Sequence, residues 1–178
     1  MRSPTPDPDA LIQVFHDHIT GRVEWNEPPA LFLAGPLDVG CILWQVPLPE
    51  EAWGHPAEVM NHLAASLEAE PQVGQQLRVG APPLWAVAVR YEGYATKVTR
   101  EELRARAASA AFGIAPPPVT GQTPGAVENR TLAALDVTGS TYELVQTRGS
   151  DEVTERRDSG GIGRIPTALR RLVAALQG

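Results

Sequence analysis

Apolar and polar positions alternate along the chain in short amphipathic stretches, cut apart by proline and glycine. Leu11, Ile12, Phe15 and Ile19 recur at helical spacing behind Asp7 and Pro8. An N-cap followed by proline at the first helical position predicts a helix over 8–20, closed by Gly21. Two short apolar runs come next, over 30–34 and 41–46, bounded by Gly35-Pro36 and by Pro47 and Pro49. Their length and their breakers predict a β-hairpin. Ile42, Trp44 and Val46 share one face of its second strand, and Cys41, Leu43 and Gln45 the other. Val59, Met60, Leu63 and Leu67 then mark a second helix over 56–69, ended by Pro71. After a Gly/Gln-rich turn, 84–94 is the longest strand candidate, apolar on both faces at first and amphipathic from Arg90 onward. That pattern suits a central strand whose far end emerges from cover.

The third helix, over 100–112, carries the sharpest local signature. Thr99 and Glu102 form a capping box inside a Val98 and Leu103 staple. Its thin apolar edge of Leu103, Ala107 and Ala110 suggests close approach to a sheet. Residues 114–128 hold Pro116, Pro117, Pro118, Pro124, Gly121 and Gly125, too many breakers for helix or inner strand. A surface loop is expected there. Strand-like runs over 131–137, 142–148 and 153–157 are joined by short turns, which force antiparallel neighbours. Leu169, Leu172, Val173 and Leu176 mark a last helix over 166–176. The order αββαβαβββα predicts one α+β domain spanning 1–178, with a largely antiparallel sheet of about six strands and about four helices.

Composition narrows the class. With 178 residues, 43% hydrophobic and 20% charged, the chain has ordinary globular usage and is not a disordered one. Its single cysteine leaves no intramolecular disulfide and no multi-cysteine zinc site. No apolar run reaches 18 residues, and the first ten residues lack an apolar core. Neither a membrane span nor a secretory signal is therefore expected, and the setting reads as cytoplasmic. Fourteen arginines against the single Lys97, with 24 alanines, fit GC-rich coding in a high-GC bacterium or one of its phages.

The net charge of −6 hides a division. Residues 1–71 hold 11 acidic side chains and two arginines, whereas residues 72–178 hold 10 acidic and 13 basic ones. The arginines Arg148, Arg156, Arg157, Arg164, Arg170 and Arg171 sit toward the C-terminus. Nucleic-acid binding is the third candidate class and rests on these arginines. It is disfavoured, because the chain is acidic overall and its aromatics lie upstream.

Candidate chemistry is sparse. His55, Glu58 and His62 would share one helix face as metal ligands, although His55 and Glu58 also suit capping positions. His16 and His18 lie about 200° apart on a helix and cannot share an ion. Gly160, Gly161, Gly163 and Arg164 form a glycine loop before a helix, a possible phosphate cradle that matches no established phosphate-loop spacing. Cys41 lies in an apolar strand without a basic neighbour, and no nucleophile elbow exists, so no catalytic residue and no cofactor are assigned. Trp44 and Trp85 read as core, whereas Trp25 and Trp53 lie in proline-flanked loops.

The expectation is a non-enzymatic protein-interaction module that binds a protein partner or itself through a charge-polarised surface. Trp25, Trp53, Arg164, Arg170 and Arg171 are its candidate contacts. The alternative is a small enzyme or ligand binder using the histidine trio or the glycine loop.

Overall fold

The computed structural model describes residues 5–77, 79–159 and 163–178, apart from the side chains of Pro71, Leu103, Ala107 and Ala110. Helix α1 (Pro8–Thr20) leads into β1 (Ala30–Pro36) and β2 (Cys41–Gln45). A short 3-10 turn (Glu50–Ala52), α2 (Pro56–Ala69) and α3 (Pro71–Leu77) carry the chain to β3 (Ala86–Ala95). Then follow α4 (Arg100–Ala111), β4 (Val127–Asp136), β5 (Thr141–Thr147), β6 (Val153–Arg157) and α5 (Arg164–Gln177). The six strands form one sheet in the order β2-β1-β3-β4-β5-β6, and every neighbouring pair is antiparallel. The α+β class and the broad element order expected from the pattern are therefore present.

Side-chain alternation gives the sheet two buried faces. Phe32, Ala88, Leu132, Tyr142 and Leu144 point toward Leu11, Phe15 and Ile19 of α1. Leu31, Leu33, Val87, Val89 and Leu135 point toward Met60 of α2 and Leu169, Leu172 and Val173 of α5. The result is three layers, α1 on one side and α2 with α5 on the other. Helices α2 and α5 run in the same direction. Arg164 meets Glu58 near their starts at 2.7 Å, and Arg171 holds Glu68 farther along at 2.7 Å.

The local signals hold where capping chemistry is local. The Asp7 carboxylate accepts from the backbone N–H groups of Asp9 and Ala10. The Thr99 N–H donates to Glu102 at 2.7 Å, and the Glu102 N–H to the Thr99 hydroxyl at 3.2 Å, a complete capping box.

One expectation needs correction. Residues 71–77 are helical, not a turn, because Val73 and Leu77 pack onto the α2/α5 core and outweigh the Gly74 propensity cost. The sheet-facing edge expected for α4 rests on Leu103, Ala107 and Ala110, whose side chains lie outside the described ones; its other side chains are exposed apart from half-buried Ser109. Strand β3 does emerge from cover as expected, buried through Arg90, half-buried from Tyr91 to Gly93 and exposed at Tyr94 and Ala95.

Candidate functional site

The two edges of the sheet differ. Strand β6 presents Glu155, Arg156 and Arg157, exposed and tied into ion pairs with Glu143, Asp9 and one another. Charges of this kind deter a further strand from pairing. Strand β2 reads Cys-Ile-Leu-Trp-Gln and carries no charge. It ends in a hairpin whose Leu37 and Val39 are 52% and 90% exposed. Ile42, at 36% exposed, continues the apolar surface onto the strand.

Hydrogen-bond phase decides what this edge offers. The Val46 N–H donates to Leu31 O at 2.8 Å, and the Leu37 N–H to Gly40 O at 3.2 Å. With Leu33 opposite Trp44 and Gly35 opposite Ile42, alternation points the backbone groups of Ile42 and Trp44 at β1. Those of Cys41, Leu43 and Gln45 point outward, in phase for a seventh strand. Proline at 47 lacks an N–H and stops the ladder there.

The hairpin is held from behind. A Cβ at Gly35 would fall within clash distance of the Pro83 carbonyl oxygen and 2.7 Å from Pro82 Cβ, so the 82–83 segment lies flat on β1. Leu43 and Cys41 pack on the α1 side, and Trp44 on the α2 side. Burial pushes the Cys41 thiol up to about 11, so it stays protonated at neutral pH and is a poor nucleophile.

Beside the start of β1 lies a cluster of buried charges. Arg90 of β3 and Arg130 of β4 project from the α1-facing side of the sheet beneath the 21–29 loop. The Arg130 side chain is 0% exposed. It donates to Glu92 Oε1 at 2.9 and 3.0 Å and to the carbonyls of Arg22 and Glu24. Arg90 donates to Glu27 at 2.6 Å and to Pro28 O at 3.0 Å. Glu92 also accepts from the Asn26 N–H at 2.6 Å, and Arg22 pairs with Glu27. A hydrogen bond to Arg22 and the surrounding guanidinium groups hold the Glu27 carboxyl below the usual range. Every charge here has a partner, so the cluster reads as a lock on the loop and not as a reactive centre. The signal available in the sequence was an arginine bordering the apolar run of each of two strands, Ala86–Val89 and Leu132–Leu135.

The expected site residues take the following places. Trp25 is half-buried, with the Arg130 guanidinium 4.6 Å from its ring and that of Arg148 at 5.6 Å. Trp53 packs half-buried on the α2/α5 core. Arg164 and Arg171 bridge α5 to α2 through Glu58 and Glu68, and Arg170 is exposed on the same helix. Arg148, Arg156 and Arg157 are likewise paired with carboxylates, which leaves no basic patch made of these five bridged arginines.

His55 caps α2, its Nδ1 accepting from the Ala57 N–H at 3.2 Å. The Glu58 carboxylate goes to Arg164 and not to the capping position expected, and His62 lies exposed a turn later. Among the described residues no three His, Cys, Asp or Glu side chains are grouped to hold a metal ion. Gly160 and Gly161 lie outside the described residues. Gly163 opens α5 with φ 135°, and with Arg164 and His55 it lines a cleft of about 500 Å³. Arg156 and Arg164 in that cleft already face Glu143 and Glu58, so they bring it no uncompensated positive charge. Among the described residues no helix is long and apolar enough to cross a membrane.

Of the two sheet edges, that of β2 is thus the one whose outward backbone groups no charged side chain guards on the strand itself, and sequence reasoning placed its strand without recognising its position. No family model, curated protein or solved structure matches the chain, and the site rests on its own geometry.

Proposed function

We propose that the protein is a non-enzymatic interaction module that receives an extended segment of another protein as a seventh strand beside β2. The observation that carries this reading is the contrast between the edges, one guarded by charge and one apolar, uncharged and in hydrogen-bonding phase. Strand addition draws affinity from backbone hydrogen bonds and specificity from alternate side chains. Leu37, Val39 and Ile42 supply apolar surface for that second role. The fully paired arginine cluster supports a scaffold reading over catalysis.

Selection of a displayed random 12-residue peptide library on the immobilised protein tests the reading. Gln45→Pro is the comparison, since Gln45 is exposed and its N–H points away from β1. Recovered ligands should bind the parent protein at least tenfold more tightly than Gln45→Pro. Ligands indifferent to that substitution would move the site elsewhere.

A further inference from the structure

A cleft of about 360 Å³ opens on the α1 side of the sheet, at the end of β5, four strands from β2. Thr20, Val23 and Trp25 form one wall, from the end of α1 and the loop after it. Gln146, Ser150 and Asp151 form the other, from the end of β5 and the turn after it. Gln146 is the group the fold leaves incomplete. The residue is 9% exposed, and its side-chain amide N–H donates to Ser150 O at 3.2 Å. Its Oε1 is buried and meets no donor among the described residues. A buried acceptor in that condition is costly, and a donor supplied from the cleft satisfies it.

Independently of strand addition at β2, we infer that this cleft binds a single uncharged sugar ring. Its hydrogen-bonding groups come in both senses. Gln146 Oε1 accepts, as does the carboxylate of exposed Asp151, which makes no ion pair among the described residues. The indole N–H of Trp25 donates to no protein group among the described residues. Hydroxyls both donate and accept, so neighbouring hydroxyls of one ring match such a set. Trp25 and Val23, the latter 89% exposed, give the first wall an apolar surface for the C–H face of a sugar. The polar wall opposite suits its rim of hydroxyls. A nucleobase has two apolar faces and would set one of them against Gln146, Ser150 and Asp151.

Charge speaks against an ionic ligand. Arg22 is paired with Glu27, and the two guanidinium groups beside the Trp25 ring, of Arg130 and Arg148, are paired with Glu92 and Glu128. No uncompensated arginine is left for an anion, and cations already on the ring weaken its pull on another. The same two contacts hold the indole in place before a ligand arrives, which lowers the ordering cost of binding.

Saturation-transfer NMR on the full chain tests the inference, with methyl glycosides of glucose, galactose, mannose and N-acetylglucosamine beside adenosine, guanosine, cytidine and uridine. At least one glycoside should take up saturation, most strongly at its ring C–H protons. It should also shift the Trp25 indole N–H resonance, identified by its loss in Trp25→Phe. Gln146→Leu should weaken that glycoside about tenfold, the loss of one buried hydrogen bond. Asp151→Ala, at an exposed turn position, should weaken it by about the same factor and serves if Gln146→Leu does not fold. Saturation of nucleosides in place of glycosides would overturn the sugar as ligand. Glycoside binding that neither substitution weakens lies outside this cleft and would overturn the inference too. Binding of no glycoside would leave water as the partner of Gln146 and would overturn it as well.

Discussion

His18 shows how little of a residue's role its type reveals. On α1 it is one of two histidines in a His-Asp-His run, and spacing alone removes it from metal chemistry. Its ring lies edge-on to Phe32, centroids 4.6 Å apart, and its Nε2 is buried without a hydrogen-bond partner. Burial, then the charges of Arg90, Arg22 and Arg130 against the opposing Glu27, lower its pKa from 6.5 to about 4. The unfolded chain therefore takes up a proton near pH 6.5, and the folded chain only near 4. Stability from this group is complete above pH 6.5, declines as pH falls toward 4, and is level below that. Glu27, whose pKa is also lowered, adds a loss of the same sign at lower pH. His18→Gln should remove about 1 kcal/mol of the decline between pH 6.5 and 5, the full shift being discounted for a half-buried ring. Urea midpoints at those two pH values measure it, and parallel declines in the two proteins would refute it. Arg130 is the harder case for sequence reading. An arginine near the start of a strand reads as solvent-facing; only the 21–29 loop folding over it supplies its carbonyl partners, and Glu92 of the neighbouring β3 its carboxylate.

Elements were legible in proportion to how local their causes are. Helices α1, α2 and α4 begin where Asp7, His55 and Thr99 cap them, and such bonds span two or three residues. The meander of β4, β5 and β6 followed from short turns. What no window of sequence contains is the placement of β3 beside β1 after a crossover through α2 and α3. That pairing decides that β2 becomes an edge, and so decides the candidate site. Gly35 marks the same long-range event, because its missing Cβ is required only once Pro82 and Pro83 lie across β1. Gly35→Ala should destabilise the fold by about 1–3 kcal/mol through overpacking. Thermal or urea unfolding measures this, and an unchanged midpoint would mean the 82–83 segment gives way freely.

Over the whole molecule, the split in charge acquires a location. Five C-terminal arginines bind acidic partners, and three of those partners, Asp9, Glu58 and Glu68, come from the acidic first part of the chain. Among the described residues, Asp38 in the hairpin before β2 and Glu50 and Glu51 in the 3-10 turn after it make no ion pair. An uncharged apolar edge is a pairing hazard between copies, and bulk charge near it can hold copies apart where no charge stands on the strand itself. Charge on these three residues adds repulsion between copies that approach along this edge. Replacing them together by Asp38→Asn, Glu50→Gln and Glu51→Gln leaves every buried contact intact and removes six like charges from the dimer. Light scattering across a concentration series should then show a monomer–dimer equilibrium shifted at least tenfold toward dimer, with Gln45→Pro restoring the monomer. Raising the salt should shift the parent protein the same way, only less, because screening weakens repulsion without abolishing it. A neutralised protein as monomeric as the parent at every concentration would show that shape, not charge, keeps this edge unpaired.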